Sequence, residues 1–273
     1  MFIALYMLTG AIAGLIAGLF GVGGGLIIVP ILVTIFTLLQ LDSQWIMHMA
    51  VGTSMATILF TSLSAIWVHH QKQAILWKTV FLISIGVSIG TWLGVKLLTG
   101  LSSQSLQIIF AVFLIYVSFS MWKKTLKHKV LGDKAGAAEF KKETNPYVHS
   151  SSGVMIGLVS SIFGIGGGTL TVPYLSKMGV PIKEAVATSS ACGWFIAFFA
   201  SASFIFAQDT GWQFSTGWIY WPAMLSIVLT SLIFARIGAK LAHRLNSASL
   251  TKWFALLLFL LSIKMVLSVL ISF

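Results

Sequence analysis

The sequence predicts an all-α integral membrane protein made of two inverted-topology repeats. Three observations support this prediction: an apolar composition, a glycine motif that occurs twice, and an uneven distribution of lysine and arginine. Of the 273 residues, 58% are hydrophobic and 8% are charged, whereas a soluble domain has about 25% charged residues. Apolar stretches of about 20 residues recur, and each is long enough to cross a hydrocarbon core roughly 30 Å thick as a helix.

The glycine motif lies near the start of each half of the chain. Residues 20–30 read Phe-Gly-Val-Gly-Gly-Gly-Leu-Ile-Ile-Val-Pro, and residues 163–173 read Phe-Gly-Ile-Gly-Gly-Gly-Thr-Leu-Thr-Val-Pro, at an offset of 143. The similarity continues downstream, where the stretch from Ala50 to Ser54 matches the stretch from Ala185 to Ser189. We therefore expect two copies of one unit, each with a helix broken at its glycines, which is typical of secondary transporters.

Each repeat contains five apolar segments, which we predict to be helical. They cover residues 2–20, 26–40, 46–68, 78–98 and 104–122 in the first repeat, and 147–163, 169–178, 184–207, 217–237 and 248–272 in the second. We accordingly divide the chain into an N-terminal membrane repeat (1–122), a basic solvated linker (123–146) and a C-terminal membrane repeat (147–273).

The basic residues predict how the repeats face. If each glycine-broken pair of segments is a re-entrant hairpin that enters and leaves the membrane on one side, then only Lys96 and Lys264 of the 17 basic residues lie opposite the others. A full crossing by each pair would divide them ten to seven. The positive-inside rule therefore favours hairpins, a cytoplasmic linker, two periplasmic termini and repeats of opposite orientation. It leaves open whether six, eight or ten segments cross.

The broken helices predict an anion site. Helix breaks inside a membrane occur only within protein or beside a cavity, because lipid offers no hydrogen-bond partners. The new helix that follows each break has unpaired N–H groups and the positive end of its dipole at its start. Glycines allow a ligand to approach this backbone closely. We predict that the substrate binds backbone amides of Gly23, Gly24, Gly25, Gly166, Gly167 and Gly168. The alternative is that these glycines only permit tight helix crossing.

Hydroxyl side chains are the second group of predicted ligands. Thr169 directly follows the second triple glycine, and further hydroxyls lie near the start of the third segment of each repeat, namely Thr53, Ser54, Thr188, Ser189 and Ser190. Such hydroxyls are able to donate hydrogen bonds to the oxygens of an anion. The alternative is ordinary hydrogen bonding between membrane helices, which is common for serine and threonine.

Two further glycine series have a simpler interpretation. Gly10, Gly14 and Gly18 recur every four residues, as do Gly86, Gly90 and Gly94. This spacing places small residues on one face of a helix and predicts close packing against a neighbouring helix.

Other chemistry is not indicated. Cys192 is the only cysteine, the histidines lack metal-ligand spacing with a carboxylate, and all six acidic residues lie in loops or at segment ends. We therefore expect no metal, no cofactor, no enzymatic activity and no proton relay through a buried carboxylate. The lysines lie between apolar segments, so the net charge of +11 reflects membrane topology rather than nucleic-acid binding.

The doubled motif resembles the sulfite exporter TauE/SafE family. The resemblance rests on residues 18–25 and 161–168, on Pro30 and Pro173, and on the Ala-x-x-Thr-Ser stretches that begin at Ala50 and Ala185. It implies a permease of the bacterial inner membrane for sulfite, thiosulfate, an organosulfonate or another small sulfur-containing anion. An anion channel and a membrane assembly protein without transport activity are the alternatives. Besides the substrate and membrane lipid, a second copy of the chain is left open as a partner.

Overall fold

The computed structural model describes residues 2–20, 23–131, 146–208, 210–242 and 247–271. Across these ranges the protein is almost entirely helical. Its helices are α1 (Phe2–Phe20), α2 (Gly25–Leu38), α3 (Ile46–Gln71), α4 (Trp77–Thr99), α5 (Ser103–Leu131), α6 (Pro146–Phe163), α7 (Gly168–Lys177), α8 (Ile182–Ile205), α9 (Trp221–Ala242) and α10 (Ser247–Ile271). Each of the ten predicted segments overlaps one of these helices, so the predicted all-α fold is confirmed.

Helix length separates spanning helices from short ones. Among the described residues, six helices are long and apolar enough to cross a membrane, namely α1, α3, α4, α5, α8 and α9. Helices α2 and α7 have 14 and 10 residues, which correspond to about 21 and 15 Å at the helical rise of about 1.5 Å per residue. Neither is long enough to cross the hydrocarbon core alone. The protein is a multi-pass membrane protein.

The helices of the two repeats pack against each other reciprocally. The first helix of each repeat packs against the fourth helix of the other, as α1 on α9 and α6 on α4. The third helices, α3 and α8, pack together, and so do the fifth helices, α5 and α10. The core therefore lies between the repeats rather than within either of them.

Glycines make the α1–α9 and α4–α6 contacts close. A Cβ atom added at Gly14 would lie 2.6 Å from Cα of Ser231, and one added at Gly90 would lie 2.8 Å from Cα of Val154. Added Cβ atoms at Gly10, Gly86 and Gly94 would likewise collide with the facing helix. The predicted packing role of these five glycines is confirmed.

Two local features differ from the sequence prediction. Helix α5 continues to Leu131, inside the segment that we predicted as a linker, because no glycine or proline interrupts it before Gly132. The rest of that linker, residues 132–145, lies outside the described residues. A short antiparallel hairpin, β1 (Ser215–Thr216) and β2 (Ile219–Tyr220), precedes α9. Gly217 has a φ of 54° at its turn, a conformation that glycine adopts readily.

Candidate functional site

The first glycine turn joins α1 to α2. Gly23 and Gly24 have φ angles of 78° and 76°, in the left-handed region that only glycine adopts without strain. Gly24 is the N-cap of α2, and its carbonyl oxygen accepts hydrogen bonds from the amides of Ile27 and Ile28 at 3.0 and 3.1 Å. Residues 21 and 22 lie outside the described part of the chain.

The second glycine turn repeats this backbone between α6 and α7. Gly167 is the N-cap of α7, with φ 73° and ψ −17°, against φ 76° and ψ −15° at Gly24. The carbonyl oxygen of Gly167 accepts hydrogen bonds from the amides of Leu170 and Thr171 at 3.1 and 2.8 Å. The same left-handed step thus starts the second helix of both repeats.

Each turn leaves backbone donors at the start of a helix. The amides of Gly25 and Leu26 in α2, and of Gly168 and Thr169 in α7, precede the first intrahelical hydrogen bonds and point beyond the helix start. Neither N-cap residue supplies a side-chain hydrogen bond to them. The positive end of the helix dipole lies at the same place. Each turn can therefore attract and bind an anion through its backbone.

The two turns lie against each other in the interior. A Cβ atom added at Gly23 would lie 3.5 Å from Cα of Gly166, and one added at Gly25 would lie 3.0 Å from Cα of Ile165. Residues 164–168 are all buried, as are Gly24 and Gly25. The two turns that carry the six predicted glycine ligands are therefore in contact. Their use as a substrate site stays a prediction.

The side chain of Ile58 lies beside both turns. It comes from α3, its Cγ2 atom lies 2.9 Å from a Cβ atom added at Gly166, and its Cδ1 atom lies 3.1 Å from one added at Gly25. At the matching position of α8 stands Gly193, and a Cβ atom there would collide with the carbonyl oxygen of Gly166. The second repeat therefore keeps this position small so that its own turn can pack against α8.

Thr53 and Thr188 join the two repeats. The amide of Tyr220, just before α9, donates to Oγ1 of Thr53 at 3.0 Å. The amide of Leu76, just before α4, donates to Oγ1 of Thr188 at 3.1 Å. Each hydroxyl thus accepts a backbone hydrogen bond at the start of the fourth helix of the opposite repeat. The first part of α3 therefore lies beside the chain that follows α8, and the first part of α8 lies beside the chain that follows α3. Helices α3 and α8 are therefore antiparallel, as expected for an inverted repeat.

The three predicted serines form different bonds. Oγ of Ser54 donates to the carbonyl oxygen of Gly164 at 2.9 Å, which ties α3 to the second glycine turn. Ser189 and Ser190 donate within α8 to the carbonyl oxygen of Val186, at 2.9 and 3.0 Å. The bond of Ser54 links two elements, as in the alternative that we considered, whereas the bonds of Ser189 and Ser190 stay within one helix. A direct contact of these serines with substrate stays a prediction.

The hydroxyl of Thr169, unlike those of the three serines, has no hydrogen-bond partner among the described residues. Its Oγ1 atom is buried. The same holds for several polar atoms that our sequence analysis did not select, and three of them belong to residues near the second turn: Oγ of Ser160, Oγ1 of Thr171 and Nε1 of Trp194. A position-by-position comparison of the repeats could have found them, because the matching positions in the first repeat are apolar.

The charged side chains that the structure describes lie outside the interior. Where the exposure of a Lys, Arg, Asp or Glu side chain is described, that side chain is not buried. Lys96, for example, is exposed, and its Nζ atom lies 3.9 Å from the ring centre of Trp92. The described groups beside the turns are backbone amides and hydroxyls, together with the positive ends of two helix dipoles.

Comparison with known proteins identifies the family. The family model described as "Sulfite exporter TauE/SafE" matches residues 6–265. A probable membrane transporter protein of Haemophilus influenzae is 34% identical over 97% of this chain and 98% of its own length. Probable membrane transporter proteins of Methanocaldococcus jannaschii and Bacillus subtilis are 29% and 27% identical, over 89% and 95% of this chain and 87% and 96% of their own lengths. No solved structure matches significantly. The chain therefore belongs to the sulfite exporter TauE/SafE family of membrane transporters.

Proposed function

We propose that this protein is a secondary transporter for a small sulfur-containing anion, such as sulfite, thiosulfate or an organosulfonate. The contact between the two glycine turns is the observation that carries the proposal. Helix α2 starts directly after one turn and α7 directly after the other, so the first amides of both helices, those of Gly25, Leu26, Gly168 and Thr169, follow the two touching turns in the protein interior. Backbone donors in a site without water interact strongly with a bound anion. The protein acts as a carrier and not as an enzyme.

Transport would follow from an exchange between two arrangements of the repeats around this site. Inverted repeats commonly work in this way, with the substrate near the middle of the membrane. The reciprocal contacts of α1 with α9 and of α4 with α6 give both arrangements equivalent interfaces. We place the protein in the bacterial inner membrane, with the basic linker in the cytoplasm and both termini in the periplasm. Reporter fusions at the two termini and in the linker test this orientation.

Counterflow in proteoliposomes tests the transport activity. Vesicles that contain purified protein are loaded with unlabelled sulfite, thiosulfate or methanesulfonate and diluted into the same labelled anion. A carrier gives saturable, transient accumulation of label above its external concentration. Conductance without counterflow would support an anion channel instead. Absence of both, together with absence of anion-dependent thermal stabilisation, would refute transport and favour an assembly role.

A glycine variant tests the location of the site. Gly23→Leu places a side chain 3.5 Å or closer to Gly166 at the contact between the turns and should abolish counterflow. Gly211→Leu is the matched control, because Gly211 also has a left-handed φ, of 69°, and an added Cβ atom meets nothing within 4 Å. The control should transport normally. If Gly23→Leu is folded and transports as well as the control, the substrate does not bind at the turns.

A further inference from the structure

The surroundings of the two glycine turns differ chemically at matched positions. Around the second turn stand polar residues, and at the equivalent places around the first turn stand aliphatic ones. The pairs, second repeat first, are Ser160 and Ala17, Thr169 and Leu26, Thr171 and Ile28, and Trp194 and Leu59. The first three pairs have the offset of the glycine motif, and the fourth has the offset that relates Thr53 to Thr188.

All four polar residues carry a buried donor that the protein does not use. Oγ of Ser160, Oγ1 of Thr169 and Thr171, and Nε1 of Trp194 are inaccessible and have no partner within the part of the chain that the structure describes. Thr171 and Ser160 are 0% and 1% exposed. Burial of a donor without an acceptor costs free energy. An acceptor supplied by a bound ligand would remove this cost for the donors beside the second turn.

The backbones of these residues lie in or beside the second turn. Oγ1 of Thr171 lies 3.4 Å from a Cβ atom added at Gly167. The carbonyl group of Ser160 accepts a hydrogen bond from the amide of Ile165 inside the turn, at 3.0 Å. Thr169 is the second residue of α7, and Trp194 follows Gly193, whose Cα lies 3.9 Å from the same added atom at Gly167. The Thr171 hydroxyl therefore lies close to the start of α7, where the free amides of that helix also lie.

The first repeat has apolar side chains at the equivalent positions. Leu26 is 1% exposed, Ile28 is 2% exposed, and Ile58, which lies beside both turns, is 1% exposed. None of these side chains has a donor for an oxygen atom. A ligand between the turns would therefore meet donors on one side and methyl groups on the other.

We infer that the second repeat supplies the side-chain donors for the charged head of the substrate and that the first repeat contacts an apolar end. This inference rests on the proposed transport function and narrows its substrate class. The preferred substrate is a monoanion with one oxyanion head and one alkyl end, of the alkylsulfonate type. An anion that is polar on every side, such as sulfate or thiosulfate, would leave its remaining oxygens or sulfur against Leu26 and Ile58 without donors.

Methanesulfonate and sulfate provide the direct test, because they differ only in a methyl group in place of one oxygen and in the resulting charge. Inhibition of labelled methanesulfonate counterflow by each unlabelled anion gives their relative affinities. The wild-type protein should prefer methanesulfonate by at least about tenfold, since a buried anion oxygen without a donor loses that much or more. Equal affinity or a preference for sulfate would overturn the inference.

Variants test which residues discriminate. Thr169→Val with Thr171→Val removes two hydroxyls and keeps the side-chain shape, and should weaken methanesulfonate binding by at least about tenfold. Thr34→Val in α2 is the matched control, because the Thr34 hydroxyl donates to the carbonyl oxygen of Pro30 in its own helix at 3.0 Å. This variant should bind methanesulfonate normally. The double variant Leu26→Thr and Ile28→Thr should reduce the preference for methanesulfonate over sulfate. Unchanged binding in the first double variant would overturn the assignment of these threonines.

The outcomes separate this inference from the proposed function. If no anion stabilises the protein or shows counterflow, the transport proposal itself fails. If the anions are transported, but without preference and without an effect of Thr169→Val and Thr171→Val, transport stands and only the one-sided recognition fails.

Discussion

The turn at Gly24 and the turn at Gly167 have nearly the same backbone, yet they lie in different chemical surroundings. Their N-cap φ angles are 76° and 73°, and in both the N-cap carbonyl accepts the first two amide hydrogen bonds of the new helix. After the first turn come Leu26 and Ile28, and after the second come Thr169 and Thr171. The backbone of a helix break depends on glycine and helix geometry, whereas the side chains beside it can differ without changing that geometry.

The packing around the two turns also differs. The second turn is fixed by the hydrogen bond from Ser54 to the carbonyl oxygen of Gly164, and by Gly193, which lets α8 approach Gly166. On the other side, Ile58 fills the space that corresponds to Gly193. The first repeat therefore has the bulkier residue at this position and the second the smaller one, so two turns with similar backbones have different surroundings.

The largest expected effect comes from filling the close contacts of the second turn. A Cβ atom at Gly193 would collide with the carbonyl oxygen of Gly166, and one at Gly25 would lie 3.0 Å from Cα of Ile165. Backbone cannot move away as a side chain does, so Gly193→Ala and Gly25→Ala should each lower the free energy of unfolding by about 3 kcal/mol or more. Thermal unfolding of the purified variants in detergent measures this effect.

Gly100→Ala is the control for these two variants. Gly100 ends α4, and an added Cβ atom would lie no closer than 3.6 Å to any neighbour, the carbonyl oxygen of Leu97. Its unfolding temperature should equal that of the wild type. Wild-type stability in Gly193→Ala would mean that the second turn does not depend on this close approach.

The next largest effect tests the two equivalent hydrogen bonds that Thr53 and Thr188 accept across the repeats. Thr53→Val and Thr188→Val each remove the acceptor of a buried backbone amide across the repeats, that of Tyr220 or Leu76. An amide left without a partner costs about 1–3 kcal/mol, so both variants should unfold at lower temperature and by similar amounts. Thr53→Ser and Thr188→Ser keep the oxygen and should restore most of the loss. Markedly unequal losses would show that the two contacts are not equivalent.

The sequence predicted the fold well because its signals were local and repeated. Apolar segments of helical length and the doubled Gly-x-Gly-Gly-Gly motif located the ten helices of the described residues, and the four-residue glycine spacing indicated which faces of α1 and α4 pack closely against another helix. The tertiary contacts of single hydroxyls could not be predicted in this way. Nothing in the sequence around Thr53 indicates that its oxygen accepts a bond from Tyr220, 167 residues away. Burial without a partner, as for Thr171, likewise becomes visible only once the neighbouring helices are in place.

The smallest expected effect concerns the left-handed backbone itself. Gly24→Ala places alanine at a φ of 76°, with the nearest neighbour of its Cβ atom 3.3 Å away, the carbonyl oxygen of Ala13. The left-handed conformation costs a non-glycine residue about 1–2 kcal/mol, and we expect a loss of that size. Gly211→Ala, at a φ of 69° with an uncrowded Cβ position, should lose the same amount and measures the backbone term alone.

Gly167→Ala completes this comparison of the turns. Its Cβ atom would lie 2.5 Å from Cδ1 of Ile196, so it carries the backbone cost and, in addition, the cost of moving the end of a flexible side chain. We expect its unfolding temperature to fall below that of Gly24→Ala. Gly167→Ala with Ile196→Val removes the crowded methyl group and should return to the Gly24→Ala value. If Gly24→Ala and Gly211→Ala instead match the wild type, the left-handed start of α2 is not needed in the folded protein, and the turn can form with another backbone.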